Sequence, residues 1–415
     1  MTGESLDRTL ESWLRDDADR RVPDHLESVL AATVGTRQRR QGAGPWPSWS
    51  GRTRVLAIAA LVALAAASVT LLSVGRPRPH NVPVPTAVGV NGVLLVRFDR
   101  DLYELDANGS NRRAVVVGPG GEFGAVFSPD GSRFAFGRMD DNLSHVQIVV
   151  ANVDGSRQTV MLETRGDESR GYAWSPDGER LAILHHAGPS SDSLSIVEVD
   201  DPASARAVSL PRHTTYGHFG FGLQVGWASS DELIVTGSQR KIGQVIYAIR
   251  ADGSGFREIA KSAGYEYVGL SADGRWLTYF EYVRDSLGHA VGARSHLVEV
   301  ATGDDRVLSS GHGAWDQELV ISPAGTTGAM VACLNGFDGC DLVIVSLDGS
   351  SAARVIGPVG GPTPKERRIV YSPDGRKILV SRYNQPTIVI DVATGEQTEL
   401  GEGIWIEAWQ PLPRP

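Results

Sequence analysis

The stretch FSPDGSRFAF, residues 127–136, recurs along the chain. WSPDGERLAI starts at Trp174, LSADGRWLTY at Leu270 and YSPDGRKILV at Tyr371, with weaker copies ISPAGTTGAM at Ile321 and WASSDELIVT at Trp227. Ser-Pro-Asp-Gly suits a type I turn: Pro presets φ, Asp tolerates the third position and Gly accepts a positive-φ exit. Apolar runs on both sides make each copy a β-hairpin. A second turn follows each one, in VANVDGSRQTV, AIRADGSGFREI, VSLDGSSAARV and IDVATGEQTEL. Asp-Gly or Thr-Gly between apolar runs is a hairpin signal. Each unit is therefore four short strands, and such a sheet hides both faces only by stacking with others around an axis.

The turn positions Asp130, Asp177, Asp231, Asp273, Ala324 and Asp374 lie 42 to 54 residues apart, near the period of propeller blades. Residues 92–117 supply three strands without a leading one. IWIEAWQP, Ile404–Pro411, reads as the missing strand, so the C-terminus is expected to complete the first unit and remove two bare sheet edges. The fold class expected is mainly β: a seven-bladed β-propeller, with six to eight blades compatible, over residues 92–415. Forty-eight glycines agree with many turns.

These repeats resemble the WD40-like PD40 propeller repeats of the TolB type; the Gly-His and Trp-Asp marks of true WD40 repeats are missing. The resemblance covers roughly residues 90–415 and implies a propeller used for binding. Such propellers usually have six blades, and TolB itself is a soluble periplasmic protein, so its partners do not transfer directly. A similar propeller precedes the hydrolase domain of prolyl oligopeptidases, but no such domain follows here.

Val55–Val74, VLAIAALVALAAASVTLLSV, is 20 residues without a charge, long enough at 1.5 Å per residue to cross a bilayer core of ~30 Å. A buried helix or a signal peptide are the alternatives; the 54 preceding residues disfavour a signal peptide, although AAAS at Ala65 has the form of a cleavage site. Arg37, Arg39, Arg40, Arg52 and Arg54 precede the span, and Arg76 and Arg78 follow it. The positive-inside rule places the N-terminus in the cytoplasm and the propeller outside, behind a proline-rich spacer at 75–91. Cys333 and Cys340 bracket a six-residue loop. Outside the cell a disulfide across that hairpin is expected, with free thiols as the alternative.

Residues 1–54 carry Leu6, Leu10, Trp13 and Leu14, then Leu26, Val29, Leu30 and Val34, at helical spacing. Two helices this short need each other, a membrane surface or a partner. A helical N-terminus, one span and an outer domain resemble the layout of membrane-bound anti-sigma factors, without their His-x3-Cys-x2-Cys zinc motif. That layout implies a sigma factor as inner partner, with Leu10, Trp13, Leu26 and Leu30 in contact; a plain anchor is the alternative.

No nucleophile elbow, metalloprotease motif, P-loop or dinucleotide fingerprint occurs, so the chain is expected not to be an enzyme and to need no cofactor or metal. A net charge of −9 argues against a nucleic-acid partner. Binding is the expectation: a ligand or protein partner on the face opposite the Ser-Pro-Asp-Gly turns. Its irregular loops gather His185, Arg212, His213, Tyr216, His218, Phe219, His312 and Trp315. Capping of the sheet core is the competing role for each. An envelope scaffold without signalling is the second reading, and a hydrolase-associated propeller the third.

Overall fold

The computed structural model describes residues 90–412, apart from 141, 143–144, 166–168, 189–190, 212–214, 217–222, 240–242, 263–264, 337, 361–366, 383–384 and 402. The inner segment 1–54, the apolar stretch 55–74 and most of the spacer lie outside the described residues. Among those described, no helix is long and apolar enough to cross a membrane.

The described chain is a β-propeller built from meanders of antiparallel strands. One complete unit is Gly121–Phe127, Arg133–Met139, His145–Asn152 and Thr159–Arg165, paired in that order. Residues 169–208 and 367–401 repeat it, and 215–262 does so with an extra two-residue strand, Thr215–Tyr216. The first strands of neighbouring units pack on each other: 121–127 on 404–412, 169–174 on 225–227, 265–270 on 315–321, and 367–371 on both 315–321 and 404–412. First strands therefore line the axis.

Separate sheets were expected for every unit, whereas residues 265–358 share one eight-stranded sheet. Two antiparallel meanders join there through a single parallel pairing, Ala293 to Trp315. Among the described residues six hydrogen-bonded sheets result.

The Ser-Pro-Asp-Gly turns hold themselves together. Ser128 Oγ donates to Asp130 Oδ1 at 2.6 Å and accepts from the Arg133 amide at 3.0 Å, and Asp130 also accepts from the Ser132 amide. The same set recurs around Ser175, Ser271 and Ser372. Gly131, Gly178, Gly274 and Gly375 all sit at φ of 69 to 73°, a conformation glycine adopts without Cβ strain. Backbone demand thus fixes two letters of the motif.

The residue before the motif explains a third. Trp174 Nε1 donates to Val126 O, and Trp227 Nε1 to Ala173 O, each at 3.1 Å and each on the preceding unit. These indoles staple one first strand to the last while their rings fill the seam between sheets. The apolar cores lie in those seams: Leu95, Leu102 and Val116 meet Phe134, Phe136 and Val149, and Ile183 and Val197 meet Val146 and Ile148.

Ile404–Leu412 pairs antiparallel with Val90–Phe98, from Leu412 opposite Val90 to Ile404 opposite Phe98. Gln410 locks the seam: its amide donates to Gly131 O at 2.8 Å and accepts from the Val93 amide at 3.1 Å. The C-terminal strand completes the first unit, as the sequence leads one to expect.

Trp174→Phe keeps an aromatic ring in the seam but leaves Val126 O without its donor. Denaturant unfolding should show a loss of about 1–3 kcal/mol. An unchanged midpoint would mean the indole only fills space.

Candidate functional site

Regular alternation would send residues of a first strand to its two sides in turn. Five first strands break that alternation. Their register shifts between Phe123 and Val126, Ser169 and Gly171, Glu266 and Val268, and Asp316 and Leu319, and at Ala408–Ile406 on the closing strand. Such bulges leave residues unpaired and re-aim their side chains. Glu318, Tyr267 and Glu407 sit in three of them. Tyr267 holds φ at 39°, a conformation costly for an aromatic residue and a mark of local constraint.

The re-aimed groups join hands around the axis. Tyr172 Oη donates to Gly124 O at 2.7 Å and lies 3.1 Å from Phe123 O. The Glu407 carboxylate accepts the amides of Gly124 and Ala125. It also meets Arg368 Nη1 at 3.4 Å and Arg97 Nε at 3.5 Å. On the next strand Arg367 Nε stands 3.4 Å from Glu318 Oε2, and Tyr267 donates its hydroxyl to Glu318. A polar belt thus runs through six first strands: 169–174, 121–127, 404–412, 367–371, 315–321 and 265–270.

Burial sets its electrostatics. Glu318 and Arg367 side chains are 0% and 1% exposed. Burial lifts the Glu318 carboxyl to about 7, although Arg367, Tyr267 and Arg368 pull it down. Glu407 is raised by burial against the pull of Arg368, Arg97 and two backbone amides. Burial raises the Tyr172 and Tyr267 hydroxyls, with Glu407 and Glu318 adding to it. Glu318 Oε1, Gln317 Oε1 and Arg367 Nη2 are buried without a hydrogen-bond partner. Native interiors rarely leave such atoms unsatisfied, because each costs about 1–3 kcal/mol. Here three of them cluster on two adjacent first strands.

The loop residues expected to bind fare differently. His185 Nε2 pairs with Ser195 Oγ at 3.0 Å. Tyr216 is 1% exposed, packed near Tyr247, with its hydroxyl on Pro211 O, and so belongs to the core. His312 Nε2 lies 2.7 Å from Asp341 Oδ2, and Trp315 packs edge-on to Tyr282. His312 and Trp315 stand just before and at the start of the strand that carries Glu318. Arg212, His213, His218 and Phe219 lie outside the described residues, as do Leu10, Trp13, Leu26 and Leu30. Cys333 and Cys340 are disulfide-bonded across their hairpin, whose loop carbonyl at Gly336 accepts from Gln317 Nε2 at 3.1 Å.

Sequence reasoning overlooked Glu318, Arg367, Arg368, Glu407, Tyr172 and Tyr267. A signal was present: WDQELVI, RRIVY and IWIEAWQ place charges inside otherwise apolar first strands. Buried charge is expensive unless it is paired or used.

No protein-family model matches the sequence, and no curated protein does either. Solved structures share the fold. A prolyl endopeptidase is 13% identical, with 76% of this chain and 50% of that one covered and a TM-score of 0.53. An oligogalacturonate lyase in complex with manganese is 13% identical, with 68% and 82% covered and a TM-score of 0.50. TolB from Acinetobacter baumannii is 11% identical, with 77% and 80% covered and a TM-score of 0.45. The chain spans only half of the endopeptidase. At these identities the likeness is one of fold. It does correct the expectation of a non-enzyme: a lyase and a peptidase carry this kind of propeller, so missing catalytic motifs do not exclude catalysis. The described part of the chain is a β-propeller whose fold is similar to that of a lyase and of a peptidase.

Proposed function

We propose that the chain is a membrane-anchored binding protein whose propeller takes a ligand or protein partner at the end of the axis away from the Ser-Pro-Asp-Gly turns. The observation that carries this reading is the buried belt, with Glu318 Oε1 and Arg367 Nη2 unpartnered in it. A fold needs no such group there; apolar residues of similar volume would cost less. The blade count belongs to the same reading. Leu308 packs against Leu319, Met330, Val343 and Val345, an apolar seam between the two meanders of the eight-stranded sheet. Counted as two blades, that sheet brings the ring to seven.

Residues 55–74 would hold this domain outside the membrane, with 1–54 inside. The inner helices would carry a signal by docking a cytoplasmic protein, a sigma factor by analogy of layout; a scaffold would dock none. Loss of Trp13 separates the two. The full chain should retain a specific cytoplasmic protein from lysate, and Trp13→Ala should lose it while still inserting in the membrane. If wild type and variant retain the same proteins, the scaffold reading replaces signalling. A reporter fused after Pro415 should be active only outside the cytoplasm; cytoplasmic activity overturns the orientation.

The belt itself is tested by stability. The folded pKa of Glu318, about 7, lies above its ordinary value of 4.5. Between those values the native state binds more protons than the unfolded one, so stability falls as pH rises from about 4.5 through 7. The loss reaches the order of 3 kcal/mol. Glu318→Gln stays neutral, removes this slope and should melt higher than wild type at pH 8. A variant that melts lower at pH 8 would make the pair a structural one and remove the support for a site.

A further inference from the structure

Three Asn-Gly dipeptides occur in the chain, at Asn91, Asn108 and Asn335. In such a pair the backbone nitrogen can attack the preceding side-chain amide, because glycine has no Cβ to block the approach. The attack needs two freedoms. The asparagine side chain must swing back over the following peptide, and that peptide must turn its nitrogen toward Cγ. The fold grants these freedoms unequally.

Asn91 lies on the closing pair of strands, opposite Pro411. Its Oδ1 accepts from the Asp374 amide at 3.1 Å, and Gln410 fills the space where a Cβ on Gly92 would stand. Asn108 is exposed, but its Oδ1 is held in an Asx turn by the Ser110 amide at 3.0 Å and the Ser110 hydroxyl at 2.6 Å. The Gly109 nitrogen donates to Asp106 O at 2.8 Å, and Leu400 closes the space beside it. Asn335 has none of these restraints. It is exposed at the tip of the hairpin that joins Thr327–Asn335 to Asp338–Ser346. Among the described residues its side chain makes no hydrogen bond, and the space beside Gly336 is open to 4 Å.

We infer that Asn335 is a self-modifying site: in the folded chain it converts to isoaspartate while Asn91 and Asn108 persist. The Gly336 nitrogen gives its proton to solvent and bonds to Asn335 Cγ, and the side-chain nitrogen leaves as ammonia. Water then opens the cyclic imide. Opening at the former backbone carbonyl routes the chain through Cβ and Cγ and frees an α-carboxylate. One amide and one water become one carboxylate and one ammonium ion, and nothing is oxidised or reduced.

The position gives this change a consequence inside the ring. Gly336 O accepts from Gln317 Nε2 at 3.1 Å, and Gln317 is buried beside Glu318. The isoaspartyl chain is one methylene longer just before Gly336. Cys333 and Cys340 are bonded at the base of the same tip, so the strand ends cannot part to absorb the added length and the tip itself must move. Gln317 then loses its acceptor, and a buried donor without one is destabilising. The modification does not depend on any ligand at the axis.

The test follows all three pairs in one sample. The full chain is kept folded at pH 8, sampled over time, reduced, digested and read by mass spectrometry, with isoaspartate counted by enzymatic carboxyl methylation. A second sample is kept unfolded in guanidinium chloride. The folded chain should lose Asn335 first, with Asn91 and Asn108 intact when most of Asn335 has gone. The unfolded chain should lose all three at similar rates. The inference is overturned if Asn335 survives in the folded chain, if Asn91 or Asn108 keeps pace with it there, or if the unfolded chain shows the same order. The link to Gln317 has its own control, Asn335→Asp, which adds the charge without the extra methylene. The isoaspartyl form should melt below both the unmodified chain and Asn335→Asp. If Asn335→Asp melts as low, the added charge accounts for the effect and the loss of the Gln317 acceptor is overturned.

Discussion

Everything in this domain depends on one antiparallel pairing, between Val90–Phe98 and Ile404–Leu412. The two partners are separated by more than 300 residues; Val93 and Gln410 alone span 317. Closing so long a loop costs entropy, but the cost grows only with the logarithm of length. In return the strand Val90–Phe98 is not left as a bare axial edge. Without the last strand the first unit would lack its axial member, and the seam that Gln410 holds against Gly131 would open. Closure of the ring therefore needs the strand Ile404–Leu412, and contacts of this range form slowly.

Closure also assembles the site. Glu407 sits on the closing strand, and its partners come from elsewhere: Arg97 from the first strand, Arg368 from the last complete unit, and the amides of Gly124 and Ala125 from the unit after closure. These groups meet only in a closed ring. The belt continues through Arg367, Glu318 and Tyr267. Each of the six belt strands thus supplies polar groups to its neighbours, and the charges of Glu318, Arg367, Arg368 and Glu407 are met from other strands. A buried charge whose partners lie on other units ties unit order to electrostatic satisfaction, so a slipped or open ring would bury charges unpaired.

Turns, apolar alternation and closure were legible in the sequence because they are local or repeated. Ser-Pro-Asp-Gly states its own hydrogen bonds, and IWIEAWQP looks like the strand that residues 92–117 lack. The disulfide-bonded cysteines could be placed on facing strand ends by spacing. The belt was not legible, for a physical reason. Strand periodicity assigns each residue to a side, and a bulge breaks that assignment. Nothing in WDQELVI says that the register shifts between Asp316 and Leu319. Tyr216, open in sequence to a loop or a core role, lies in the core: its sequence neighbours look like loop, and the two-residue strand that carries it is too short to leave a pattern. Stacking of side chains at the loop face did not need a ligand either, since His296 lies on Tyr279 at 4.4 Å and bonds Asp305 at 2.9 Å.

The two faces of the ring differ in what they leave unsatisfied. On the turn face, burial would raise the carboxyls of Asp130, Asp177 and Asp374, yet the hydrogen bonds they accept hold them below the usual range. Asp348, on the same face, is held at about 2 by Ser346 and Ser350. These acids are ionised, bonded and committed to the backbone around them, so that face has little left to offer a proton or an anion. Along the axis the balance is reversed. Glu318 is raised to about 7, and Glu318 Oε1, Gln317 Oε1 and Arg367 Nη2 are buried without partners. The same fold spends its carboxylates in two ways: repeated ones on the turns, where a local serine fixes their charge, and single ones on the axis, where bulges turn them toward arginines from other units. The unpartnered Glu318 oxygen belongs to the second kind, and the bulge that places it leaves the turns that hold the repeat together undisturbed.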